Sequence, residues 1–81
     1  MSTSMRAKMK LTEVTQSEHS ETLTFSAVCK KTAYGSDGLD EDNTFATFTP
    51  SASVMMRVSN PALRGKFTPG EVYYVDFTPA E

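Results

Sequence analysis

An all-β fold is predicted for this chain: a small five-stranded antiparallel barrel in SH3-like order, with one helical turn before the last strand. Three observations predict it. Apolar and polar residues alternate with period two in separate short runs, the pattern of half-buried strands. Turn-forming residues divide the runs. The one helix signal, Asn60-Pro61 followed by Ala62-Leu63-Arg64-Gly65, falls just ahead of the last run. An OB-type barrel would carry its helix between the third and fourth strands, where only Thr49-Pro50 stands. A two-sheet β-sandwich is the second architecture these runs allow.

The first strand is read over 6–15. Ala7, Met9 and Leu11 share one face, and Arg6, Lys8, Lys10 and Thr12 share the other. Val14 is out of step with Leu11, so a bulge or a sharp bend is expected near Thr12-Glu13. Polar residues 16–21 form a hairpin loop, and the short connection makes the next strand antiparallel. That second strand covers 22–31, with Leu23, Phe25, Ala27 and Cys29 inward.

Residues 32–43 make the longest irregular stretch, with two glycines and four acids. A loop of this length in a small domain is often functional. The third strand is short, 44–49, with Phe45 and Phe48 on opposite sides, and Pro50 ends it. In the fourth, 51–58, Ala52, Val54, Met56 and Val58 alternate with Ser51, Ser53, Met55 and Arg57. Asn60 is a good helix cap, Pro61 suits the first helical position, and Gly65 can close the turn in the left-handed conformation. Leu63 is then placed to plug one end of the barrel. Thr68-Pro69-Gly70-Glu71 carries a type II turn signature. The last strand, 72–77, is β-branched and aromatic almost throughout. Apolar residues on both its faces predict a central or closing strand with cover on each side.

Eighty-one residues make one domain with a modest core, here residues 6–81 behind a flexible arm, 1–5. The net charge of −2 argues against a dedicated phosphate-backbone binder. With one cysteine, no intrachain disulfide is possible. The start of the chain lacks the apolar core of a secretory signal, and no apolar run approaches a membrane span, so a soluble intracellular protein is expected.

Catalysis finds little support. His19 stands in a polar loop, Cys29 reads as core filler, and no nucleophile elbow, phosphate-cradling glycine loop or zinc spacing occurs. No cofactor is expected. The acidic loop offers oxygen ligands but lacks the alternation and closing glutamate of an EF-hand, so no metal is assigned to it. Its other readings are a solvated loop or an acidic contact surface. The protein-binding candidates are therefore Tyr34, Asp37, Asp40, Glu41 and Asp42. Arg6, Lys8 and Lys10 form a possible anion-binding face, with Lys30 and Lys31 nearby if the hairpin forms. That face also reads as ordinary edge protection by lysine. Together with an exposed Tyr34 it would suit single-stranded nucleic acid.

Four segments carry a family resemblance: Asp-Glu-Asp-Asn-Thr-Phe-Ala (40–46), Thr-Pro-Ser-Ala-Ser (49–53), Asn-Pro-Ala-Leu-Arg-Gly-Lys-Phe (60–67) and Pro-Gly-Glu-Val-Tyr-Tyr-Val-Asp-Phe-Thr-Pro-Ala (69–80). Together they resemble small uncharacterised proteins of tailed bacteriophages, over roughly residues 25–81. These motifs are turns and strand ends, and no catalytic or binding residue carries over from them. The resemblance implies a viral protein located in the virion or the host cytoplasm. The expectation is thus a non-enzymatic binding protein, first a virion-associated structural or decoration subunit. The alternatives are an inhibitor of a host protein acting through its acidic loop, and a single-strand nucleic-acid-binding module. The expected partner is a virion or host protein, or a second copy of the chain, with nucleic acid less favoured and no membrane.

Overall fold

The computed structural model describes residues 4–29, 35–39, 42–47 and 49–80. Four strands form one antiparallel sheet: β1 (Met5–Gln16), β2 (Glu21–Ala27), β3 (Ser53–Val58) and β4 (Val72–Phe77), in spatial order β3-β2-β1-β4. The all-β antiparallel class is as expected. Closure is not: β3 and β4 lie at opposite edges, so the sheet is open. Among the described residues there is no second sheet to make a sandwich, and no helix. β1 starts at Met5, one residue inside the expected arm.

The length of β1 explains this topology. Its Met9–Gln16 half pairs with β2, and its Met5–Lys10 half pairs with β4. The two partners are therefore offset along a common spine. The bulge lies where the hydrophobic phase slips: the register shifts between Leu11 and Glu13, and the Thr12 hydroxyl donates to the Thr24 carbonyl at 3.0 Å. The extra residue returns Val14 to the face of Leu11, opposite Leu23. The strand bends there but stays in one sheet.

The expected third strand is corrected. Residues 44–47 and 49 belong to no strand; Thr47 makes an isolated bridge to Leu39, and Ala46 N–H turns back to the Asn43 carbonyl at 3.1 Å. The second strand also ends at Ala27, short of its expected length, and Cys29 is exposed where an inward position is expected. Lys30, Lys31 and Phe48 lie outside the described residues.

The segment before β4 follows its local chemistry. Asn60 Oδ1 accepts from Ala62 N–H at 3.0 Å, and Gly65 adopts φ 76°. Only turns form there: Leu63 N–H bonds to Asn60 and Lys66 N–H to Leu63. Leu63 is not a plug, being 46% exposed. In the following turn Glu71 N–H bonds back to the Thr68 carbonyl at 3.2 Å, with Gly70 at φ 96°, as the type II pattern requires.

Register divides the sheet into two faces. Ala7, Met9 and Leu11 of β1 align with Leu23 and Phe25 of β2, Val54, Met56 and Val58 of β3, and Tyr73 and Val75 of β4. This apolar face holds the core of Ala7, Met9, Leu11, Leu23, Phe25 and Val58, against which Phe45 and Phe67 pack. Phe25 and Phe67 both meet Tyr73 edge-on, at 5.9 and 5.6 Å between ring centres. β4 is thus an edge strand rather than the expected covered one. On its inward face Tyr73 and Val75 are half-buried while Phe77 is 48% exposed, and on the other face Val72 and Tyr74 are about half exposed.

Candidate binding surface

The opposite, polar face carries the predicted cations. Alternation puts Arg6 beside Asp76 and Lys8 beside Tyr74 across the β1–β4 pair. Arg6 Nε donates to Asp76 Oδ1 at 2.7 Å and Nη2 to Oδ2 at 3.3 Å. The guanidinium also lies 4.4 Å from the centre of the Tyr74 ring. The hydrogen bond to Asp76, then the charge of that carboxylate, holds the Arg6 guanidinium above its ordinary pKa. Tyr74 donates its hydroxyl proton to Asp42 Oδ1 at 3.0 Å, and Asp42 Oδ2 lies 3.5 Å from Lys8 Nζ. Asp76, Arg6, Tyr74, Asp42 and Lys8 thus form one chain of alternating contacts.

Two of the three cations of the possible anion-binding face therefore already hold carboxylates. Lys10 is exposed and has no carboxylate partner among the described residues. Of the protein-binding candidates, Asp42 is half-buried and turned onto the sheet. Asp37 is exposed and accepts from Leu39 N–H at 3.1 Å, in a turn that Gly38 N–H closes onto the Gly35 carbonyl. Tyr34, Asp40 and Glu41 lie outside the described residues.

The residue that fixes Asp42 in place is its neighbour Asn43, which is fully buried. β2 ends at Ala27, so the Arg6–Lys8 stretch of β1 lacks a strand partner on that side. Asn43 fills the gap with its side-chain amide. Lys8 N–H donates to Asn43 Oδ1 at 2.7 Å, and Asn43 Nδ2 donates to the Val28 carbonyl at 2.8 Å. Val28 N–H meanwhile bonds to the Lys8 carbonyl at 2.9 Å. The amide acts as an inserted peptide unit, satisfying one donor and one acceptor that burial would otherwise leave unpaired. Thr44 extends the pattern: its N–H donates to the Arg6 carbonyl, and its hydroxyl oxygen accepts from Arg6 N–H at 2.8 Å.

Sequence reasoning counted Asn43 among the oxygen ligands of the acidic loop and missed this bridging role, whose only signal is an amide ending a run of acids. It also left Glu21 in a polar loop. Glu21 is buried at the head of β2, where Oε1 accepts from Gly65 N–H at 3.1 Å. Arg64 adds bonds to the carbonyls of Ser17 and Glu18. The turn at 61–65 is thereby anchored to the β1–β2 hairpin.

The described residues line a polar cleft and an apolar groove. A polar cleft of about 330 Å³ lies among Ser4, Met5, Arg6, Thr44 and Asp76. An apolar groove of about 200 Å³ runs over Leu23, Phe25, Val54, Met56, Phe67, Tyr73, Tyr74 and Val75, with no charged side chain in its lining. Among the described residues no group of three His, Cys, Asp or Glu side chains is placed to hold a metal ion. His19 is almost fully exposed, beside Glu18.

Among the described residues neither outer edge of the sheet is paired. Leu11 N–H donates to the Glu71 carbonyl, which fixes the hydrogen-bonding phase of β4. The backbone groups of Val72, Tyr74 and Asp76 then point away from the sheet. By the same reasoning from Ala27 N–H and the Ala52 carbonyl, those of Ser53, Met55 and Arg57 point outward from β3. Comparison of the chain with protein-family models, with curated proteins and with solved structures found no match.

Proposed function

We propose that this chain is a non-enzymatic building block of a tailed-phage particle, a structural or decoration subunit that joins a neighbouring protein by strand addition. The observation that carries the reading is β4. It is the strongest β-former of the chain, and it stands at an open edge. Six residues without proline, whose one charge is paired with Arg6, present outward backbone groups along an edge that natural sheets usually blunt. Main-chain pairing supplies affinity in such additions, and the alternating Val72, Tyr74 and Asp76 side chains supply selectivity. The phage context comes from the resemblance at 40–46, 49–53, 60–67 and 69–80. A partner strand on β4 or β3 is also the route by which this open sheet would gain the fifth strand of a barrel.

The two alternatives draw less support. An inhibitor using the acidic loop would need its carboxylates free, and Asp42 holds Tyr74 and Lys8. A nucleic-acid module would need a free basic face, and Arg6 and Lys8 carry carboxylates.

Particles purified from phage-infected cells test this directly. The chain should be found in fixed ratio to a head or tail protein, after nuclease treatment. Val72→Pro removes one outward N–H at the first residue of the strand, where proline is tolerated. That variant should fold but be depleted from particles. Recovery with a single host enzyme and absence from particles would establish the inhibitor instead, and nuclease-sensitive recovery would establish the nucleic-acid reading.

A further inference from the structure

We infer that the apolar face of the sheet is covered by the same face of a second copy of this chain, so that the folded unit is a two-sheet homodimer. A sheet with one apolar face must bury it against another layer. Among the described residues the cover is partial. Phe45 and Phe67 pack on the core, but the groove between the strands stays open, and Met56 at its rim is 53% exposed. Met5 and Phe77, paired at the far end of the same face, are 41% and 48% exposed.

Surface area measures what is missing. The chain exposes 5868 Å². A compact folded monomer of 8.9 kDa exposes roughly 4,800 Å². The excess of about 1,000 Å², summed over all 81 residues, is of the same order as the ~800 Å² that each partner buries in an interface of standard size. The Cα radius of gyration agrees: it is 14.6 Å, against roughly 12 Å for a compact chain of this length, and the smallest extent is 15 Å. A second sheet stacked at about 10 Å would bring the assembly toward the thickness of a β-sandwich.

Chemistry selects a like copy over a charged partner. The groove lining holds no charge for a basic or acidic partner to pair with. Two copies related by a twofold axis would oppose apolar surface to apolar surface, each Met56 meeting the groove of the other. The charged groups, Arg6, Lys8, Asp42 and Asp76, stay on the outer faces, still in their own pairs. The inference is independent of the particle reading, which uses strand edges and leaves this face unassigned.

Sedimentation equilibrium of the purified chain, from about 1 to 200 µM, tests it. The expected mass is twice the chain's 8.9 kDa, with a thermal midpoint that rises with concentration. Met56→Glu places a charge in the interface and should weaken association by about 100-fold or more. Met55→Glu, on the opposite face at 75% exposure, should leave it unchanged. Val72→Pro, which blocks the β4 edge, should also leave it unchanged. A monomer at every concentration overturns the inference. So does a dimer that survives Met56→Glu but is lost with Val72→Pro, since pairing would then run through the edge. If Met56→Glu does not fold, the wild-type midpoint decides: independence of concentration overturns the inference, and dependence with Val72→Pro still dimeric supports it.

Discussion

The two long connections of this chain do similar work by different means. The segment between β3 and β4 folds largely on itself. Its bonds run from Ala62 N–H to the Asn60 side chain, Leu63 to Asn60, Lys66 to Leu63 and Glu71 to Thr68. The described residues between β2 and β3 also close short turns, Gly38 N–H to Gly35 and Ala46 N–H to Asn43, but they are held to the sheet through distant backbone: Asn43 reaches Lys8 and Val28, and Thr44 reaches Arg6. Each connection is tied to the sheet by one buried polar side chain. In the first the sheet supplies it, through Glu21; in the second the connection supplies it, through Asn43. The first connection needs only an anchor, whereas the described part of the second uses the Asn43 side chain in place of a strand beside Arg6–Lys8.

The comparison breaks most sharply at Asn43. Asn43→Ala leaves the Lys8 N–H and the Val28 carbonyl without that partner in a half-buried place. Two such groups cost about 2–4 kcal/mol, against a total stability of roughly 4–12 kcal/mol for a domain of this size. The urea midpoint should fall steeply, and the Lys8 amide should lose its exchange protection. Asn43→Asp separates the two bonds: an oxygen still accepts from Lys8, but Val28 then faces an acceptor, and most of the loss should persist. An unchanged midpoint for Asn43→Ala would mean the amide is not the link between β1 and the connection.

Glu21 should matter less, because it holds a single donor in a segment already braced by its own turns. Glu21→Ala removes the acceptor for Gly65 N–H and should cost about 1–2 kcal/mol. Glu21→Gln keeps a carbonyl oxygen at the same reach and should recover most of that. Both are read as shifts of the unfolding midpoint at constant slope. If Gln is as damaging as Ala, the carboxylate's charge matters and the acceptor alone does not suffice.

This contrast also explains what the sequence reveals. Every turn between 59 and 71 is closed by groups a few residues apart, so Asn60, Gly65 and the Thr68–Glu71 turn can be read from the chain alone. The bulge is legible for a related reason: Leu11 and Val14 cannot share a face without an extra residue between them. Closure of the barrel is not legible, because alternation fixes the face of a side chain and not the neighbour of a strand. β4 has an edge position despite its composition, since β1 lies between it and β2 and is its one strand partner among the described residues. Asn43 is not legible either: its partners lie 35 and 15 positions away, and nothing in an amide after an acidic run announces them. Nor are the carboxylates of Asp42 and Asp76 legible as partners of the basic face, because that pairing depends on which strand lies beside β1.

The smallest expected effect is the most direct test of the open sheet. Alternation and the helix signal make Leu63 the plug of a barrel, and a plug behaves as a core leucine. Loss of a buried leucine side chain costs about 2–5 kcal/mol, and a buried carboxylate in its place would cost more. In the open sheet Leu63 is 46% exposed, on a turn whose backbone bonds and Glu21 anchor do not involve its side chain. Leu63→Glu should therefore move stability by no more than about 0.5 kcal/mol in either direction, the range of ordinary surface substitutions. Equilibrium unfolding of the two proteins at matched concentration distinguishes these cases, since the predicted outcomes differ at least fourfold. A large loss would mean that the strands close around Leu63 in solution, and the edges that carry the proposed function would then be engaged within the chain itself.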